Sequence, residues 1–80
     1  MKKRFTLGFI GCGDMATDLA RVVRMTPGVA IGPCADPDIA RRAAFAGRFA
    51  AGTGYGDAGE LMERERPDAL FVGVPHNLHY

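Results

Sequence analysis

Net charge is almost absent from this chain. Ten basic and nine acidic residues leave +1 at pH 7. That balance excludes the clustered positive charge expected of a nucleic-acid-binding domain, and there is no acidic tail or polybasic membrane anchor. No run of about 18 apolar residues occurs, so no transmembrane helix is expected and no membrane partner. Cysteine is scarce. Cys12 and Cys34 lie far apart in sequence, without the paired spacing of a metal site, and are expected to be reduced thiols in a cytoplasmic protein. Lysine does not occur after Lys3. There is no internal repeat, linker or domain boundary.

What remains is ordinary globular composition: 80 residues, 48% hydrophobic and 24% charged. This size implies one domain or part of one, with a modest core. The basic start Met1-Lys2-Lys3-Arg4, followed by apolar residues and Cys12, superficially fits a lipoprotein export signal. The apolar run Phe5–Ile10 is shorter than the roughly 7–15 residues such signals need, and a helix rather than a polar tether follows.

The pattern of apolar runs and breakers alternates strand and helix. Phe5–Ile10 is almost wholly apolar and ends at glycine, as in a strand buried on both faces. Residues 14–25 read as a helix, with Met15, Leu19, Val22 and Val23 on one stripe and Ala16 and Ala20 beside it. Val29–Ala35 is a second strand, expected to be short or kinked at Pro33, which cannot donate to a ladder. Asp36-Pro37-Asp38 opens a second helix, expected to bury Ile39, Ala43, Ala46 and Ala50, widened by Phe45 and Phe49, with Arg41 and Arg48 pointing away. Residues 51–56 form a loop with a very short strand. Asp57 then caps a short helix running to Arg66, and residues 69–74 form a further buried strand, ended by Pro75. Alternating strands and helices imply an α/β fold with a parallel sheet of Rossmann type.

One motif carries chemistry. Gly11-Cys12-Gly13-Asp14-Met15-Ala16 is a GxGxxA sequence lying between the first strand and the first helix. Gly11 permits the tight turn, Gly13 lets a pyrophosphate approach the backbone, and Ala16 lets the helix pack closely on the sheet. Free N–H groups and partial positive charge at the helix start suit the phosphates. Asp14 should point outward, away from them. Asp36 ends the second strand at about the 20-residue distance the dinucleotide fingerprint requires. Its carboxylate can accept ribose hydroxyls and would repel a 2′-phosphate, which favours NAD over NADP. Asp36 could also serve as a helix cap, and Arg41-Arg42 could reach a 2′-phosphate or simply be solvated.

After the last strand come Pro75-His76-Asn77-Leu78-His79. Ligands in open parallel sheets sit beyond the carboxyl ends of strands, so these polar residues could border the cofactor cleft or be ordinary loop residues. No third ligand accompanies the two histidines, and no metal is expected.

These residues together resemble the N-terminal domain of the glucose–fructose oxidoreductase / inositol dehydrogenase / rhizopine-catabolism family. The matching stretches are Phe9 through Ala16, Ala35-Asp36-Pro37-Asp38, Tyr55-Gly56-Asp57, and Asp68 through Pro75 with His79 completing Pro-x-x-x-His. The resemblance implies an NAD(P)-dependent oxidoreductase acting on a sugar, polyol or related compound. It places Gly11, Gly13 and Ala16 at the diphosphate, with Cys12, Asp14 and Met15 in the same turn. Asp36 falls at the adenosine ribose, and Pro75, Asn77 and His79 fall on the nicotinamide side. It also implies a second, α/β substrate domain that builds a homo-oligomer. That domain and the proton-transferring lysine of a Glu-Lys-Pro motif would both lie beyond Tyr80. Residues 1–80 are therefore expected to be the N-terminal part of the dinucleotide-binding domain, with no catalytic residue and no turnover of their own. Relatives include NAD-dependent glycoside hydrolases and dinucleotide-sensing regulators. A regulator should lack the lysine, and product analysis would separate the two enzyme classes.

Overall fold

The structure, a computed structural model, describes residues 4–49 and 53–73. Among the described residues seven elements alternate: β1 (Phe5–Ile10), α1 (Asp14–Arg24), β2 (Val29–Ala35), α2 (Ile39–Phe49), β3 (Gly54–Tyr55), α3 (Ala58–Arg64) and β4 (Ala69–Val72). The strands form one parallel sheet in the order β3-β2-β1-β4. This is a Rossmann-like α/β arrangement, as the alternation predicts. The reversal of strand order falls between β1 and β4, where the carboxyl ends of the strands open a crevice.

Pro33 does not shorten β2. Leu7 pairs with Ile31 but Phe9 pairs with Cys34, so Gly32 and Pro33 together oppose Gly8. This bulge sits where the ladder would otherwise ask proline for an N–H it lacks. Beyond it Cys34 and Ala35 pair with β1 on one side and with Gly54 and Tyr55 on the other. At the opposite end, the Thr6 N–H donates to Asp68 Oδ2 (2.7 Å) and the Asp68 N–H to the Thr6 carbonyl (2.8 Å), fixing where β4 begins. The last strand ends at Val72, earlier than its apolar pattern suggests, and it is not buried as that pattern implies: at the sheet edge Leu70 and Val72 are exposed; residue 74 lies outside the described residues.

The core is built on Phe9, Cys12, Ala16, Ala20, Cys34, Phe45 and Phe49. Phe45 packs on Phe9 with ring centroids 5.1 Å apart and on Phe49 at 5.0 Å, both tilted as aromatic quadrupoles prefer. The helix faces differ from those expected. On α1 the buried line is Ala16, Ala20 and Val23, while Met15 and Val22 are exposed. Small residues turn toward the sheet because they let α1 approach it closely. On α2 Phe45 and Phe49 are buried as expected and Ala46 packs partly buried against the core, whereas Ile39 is 70% exposed and Ala43 is exposed; Ala50 lies outside the described residues. The large rings bury more apolar area than Ile39 and Ala43 could, and they set the rotation of the helix. Arg48 does not point away either. Its guanidinium lies 5.5 Å from the Phe49 centroid, and that of Arg24 lies 5.3 Å from the same ring. Leu61, fully buried, anchors α3, which Asp57 caps by accepting the Glu60 N–H at 2.8 Å; the helix closes at Arg64 rather than Arg66. No helix among the described residues is long and apolar enough to cross a membrane.

Gly11 is required by the backbone itself. Its φ is +94°, and a Cβ there would run into the Gly73 carbonyl oxygen. Gly28 also has positive φ (+85°), but nothing lies near its Cβ position. Gly28→Ala should therefore cost only the strained φ, about 1 kcal/mol, whereas Gly11→Ala should cost about 2–4 kcal/mol by adding overpacking. Urea unfolding followed by circular dichroism compares the two. Equal losses would mean that the packing of Gly11 against Gly73 is unimportant.

Candidate functional site

The carboxyl ends of β1 and β2, the N-terminus of α1 and the start of α3 enclose a cleft of about 690 Å³. Gly11, Gly13, Asp14, Met15 and Ala16 form one wall, Asp36, Pro37 and Arg41 another, and Gly56, Asp57, Ala58 and Gly73 the remainder. The glycine-rich turn and Asp36, separated in sequence, thus meet in one place.

Backbone hydrogen bonds set the turn. The Gly11 N–H donates to the Ala35 carbonyl (2.7 Å) and the Gly73 N–H to the Ile10 carbonyl (2.8 Å), extending the sheet past β1 on both sides. The Cys12 N–H then donates to Asp36 Oδ2 at 2.8 Å, and the Asp38 N–H to Asp36 Oδ1 at 2.8 Å. Asp36 is 4% exposed, so these bonds compensate the burial of its charge. A carboxylate offers about four lone-pair sites, so each oxygen keeps one for a further donor. The capping role for α2 belongs to Asp38, whose Oδ1 accepts the Arg41 N–H at 3.0 Å. Asp36 holds the turn instead.

Gly13 sits at the N-cap of α1 without a side-chain cap. The first N–H groups of α1 therefore open into the cleft with the positive end of the helix dipole. The backbone of Gly13 (φ −88°, ψ −156°) is open to any L-residue, and a Cβ there would meet nothing closer than Arg41 Nη1 at 4.0 Å. Nothing in the fold demands glycine at position 13, whereas a group resting on the backbone would. That is the feature expected of a phosphate cradle, and a dinucleotide fits it. Asp14 is exposed at the mouth, and Ala16, 1% exposed, keeps α1 tight against the sheet.

The thiols are buried beneath the turn. Cys12 Sγ donates to the Ala35 carbonyl at 3.8 Å, and both cysteines are free. A hydrogen bond with Cys34, then burial and the nearby Asp36 carboxylate, hold the Cys12 thiol protonated far above the ordinary cysteine range. Cys12, buried among the core residues, packs beneath the turn. Outside the cleft lining, Tyr55 donates its hydroxyl to Glu65 Oε2 (2.8 Å), and that bond to a carboxylate raises the phenol pKa.

Two aspects of the site differ from the reading of the sequence or extend it. Arg41 lines the cleft instead of pointing away, because the first turn of α2 starts beside Asp36. Gly56 was legible as the end of a loop, and Asp57 and Ala58 as a capping motif, but none of them as cleft residues. The short β3, ending beside β2, could have placed them there. Pro75, His76, Asn77 and His79 lie outside the described residues. Among the described residues no group of three His, Cys, Asp or Glu could hold a metal ion.

Residues 5–80 match the sequence model of the oxidoreductase family with the NAD-binding Rossmann fold, the glucose–fructose oxidoreductase / inositol dehydrogenase / rhizopine-catabolism group. The chain belongs to this family. Solved structures show the same fold. An oxidoreductase from Agrobacterium radiobacter, in complex with NAD+, L-tartaric acid and magnesium, superposes with a TM-score of 0.85 at 23% identity, covering 91% of this chain and 21% of that one. The WlbA dehydrogenase from Bordetella pertussis, in complex with NADH and UDP-GlcNAcA, gives 0.85 at 17% identity, covering 96% and 24%. Scyllo-inositol dehydrogenase from Lactobacillus casei, with NAD(H) and scyllo-inositol, gives 0.82 at 15%, covering 96% and 23%. This NAD-binding-family chain thus spans between about a fifth and a quarter of the length of these structures. A comparison with curated protein sequences gave no match.

The open space at Gly13 separates ligand binding from folding. Gly13→Val should lower affinity for NAD at least a hundredfold while leaving the helical circular dichroism and the unfolding midpoint close to wild type. Calorimetric titration with NAD measures the first, and urea unfolding the second. Normal NAD affinity in the variant would show that the cradle lies elsewhere.

Proposed function

We propose that this chain is the dinucleotide-binding part of an NAD-dependent oxidoreductase acting on a sugar, polyol or related compound. The observation that carries the reading is Gly13, a glycine that the fold leaves optional at the uncapped start of α1, facing a buried aspartate with acceptor sites to spare. On this reading the pyrophosphate rests on Gly11, Gly13 and Ala16, with Cys12, Asp14 and Met15 completing the turn. The adenosine ribose hydroxyls donate to Asp36. The nicotinamide of the bound dinucleotide supplies the hydride acceptor. Pro75, Asn77 and His79 belong to the nicotinamide side by family resemblance alone.

The substrate class follows from family membership and from the sugar and polyol ligands that the similar structures hold. No lysine follows Lys3, which supports placing the groups that bind and protonate a substrate outside residues 1–80. A cytoplasmic setting with both thiols reduced accords with this reading, as does a homo-oligomer built through a substrate domain.

The position of Asp36 predicts NAD over NADP. A charge-assisted contact from a ribose hydroxyl is worth about 1.5–3 kcal/mol, or roughly ten- to a hundredfold in affinity, and a 2′-phosphate would replace it with repulsion. Competitive titration of the two cofactors tests this, with Asp36→Asn expected to narrow the preference by removing the charge while keeping the side-chain shape. Equal or tighter binding of NADP by the unaltered protein would contradict the assignment of Asp36.

A further inference from the structure

The cleft has an unusual charge inventory. Asp14, Asp36 and Asp57 line it, and Arg41 is the one cationic side chain that does so among the described residues. A pyrophosphate brings further negative charge. The α1 dipole offsets only about half an elementary charge at its N-terminus. A second positive group is needed close to the point where the phosphates touch the backbone.

Arg41 is placed to be that group. Its Nη1 is the nearest atom to the Cβ position of Gly13, at 4.0 Å, so a phosphate oxygen resting on Gly13 falls within hydrogen-bond reach of the guanidinium. Among the described residues Arg41 has no salt bridge, and its side chain donates no hydrogen bond; only its backbone N–H is engaged, by Asp38. The neighbouring arginine is committed elsewhere. Arg42 Nη1 donates to the Asp36 carbonyl at 3.3 Å, and its stem lies within 2.9 Å of the Cβ position of Gly54. A 2′-phosphate would sit by Asp36, whereas Arg41 reaches past Asp36 to the glycine turn.

We propose that Arg41 binds the pyrophosphate of the dinucleotide from the side opposite the α1 N-terminus, closing the cradle over Gly13. This rests on the dinucleotide reading of the cleft. A planar guanidinium suits two oxygens of a phosphate group, and lysine supplies only a point charge.

The test is titration of the full chain with NAD and with NADP, for the unaltered protein, Arg41→Ala and Arg41→Lys, at several salt concentrations. Arg41→Ala should weaken both cofactors alike, by tenfold or more, and flatten the salt dependence of binding. Arg41→Lys should recover part of the loss. The unfolding midpoint should stay unchanged, because the side chain holds nothing in the fold. Loss confined to NADP would assign Arg41 to the 2′-phosphate and overturn the proposal. So would unchanged affinity, or weakening with the salt dependence intact, which would indicate stacking on a base. If the unaltered protein binds neither cofactor, the dinucleotide reading itself fails, and this proposal falls with it.

Discussion

The hydrogen bond from the Cys12 N–H to Asp36 Oδ2 joins the two halves of the site. One end belongs to the turn that follows β1 and the other to the residue that follows β2. Both groups are buried, so the bond is made in a region of low dielectric, where losing either partner is costly. An apolar residue at position 36 would leave the Cys12 N–H unsatisfied, at about 1–3 kcal/mol. With Asp36 present, the turn is held in shape before any ligand arrives, and the N–H groups of α1 need not reorganise to receive one. Gly11, bonded to Ala35 and pressed against Gly73, supports the same turn from the sheet side.

This arrangement gives the two glycines different origins. Gly11 answers to the backbone and would be needed in any protein that turned this way. Gly13 answers to space that only a ligand would occupy. The buried thiols below the turn belong with Gly11: Cys12 and Cys34 fill a space between α1 and the sheet, where a larger side chain would lift the helix. Asp36 belongs to both groups, since its carboxylate holds the turn and the residue lines the cleft.

Much of this was legible in the sequence because it depends on local rules. The strand–glycine–helix succession, the apolar strands and the Asp57 cap all follow from residue type and spacing, and each appears where those rules put it. What was not legible depends on competition between faces. Ile39 and Phe45 are both apolar, and only packing against Phe9 decides that the ring is buried and Ile39 exposed. Met15 and Val22 fit a helical stripe, yet close approach to the sheet favours Ala16 and Ala20. Arg41 reads as a solvated arginine until the start of α2 is set beside Asp36. Pro33 argued for a short or kinked strand; that the irregularity takes the form of a bulge depends on the partner strand and cannot be seen from β2 alone.

The central claim is that a dinucleotide seats its phosphates on the preset turn at the start of α1. Backbone amide chemical shifts, followed by nuclear magnetic resonance as NAD is added, test it most directly. The account predicts the largest changes at Gly13, Asp14, Met15 and Ala16, with smaller ones at Asp36 and Arg41. It predicts little change along the opposite end of the sheet at Thr6 and Asp68. Shifts centred away from the glycine turn, or none at saturating NAD, would contradict it.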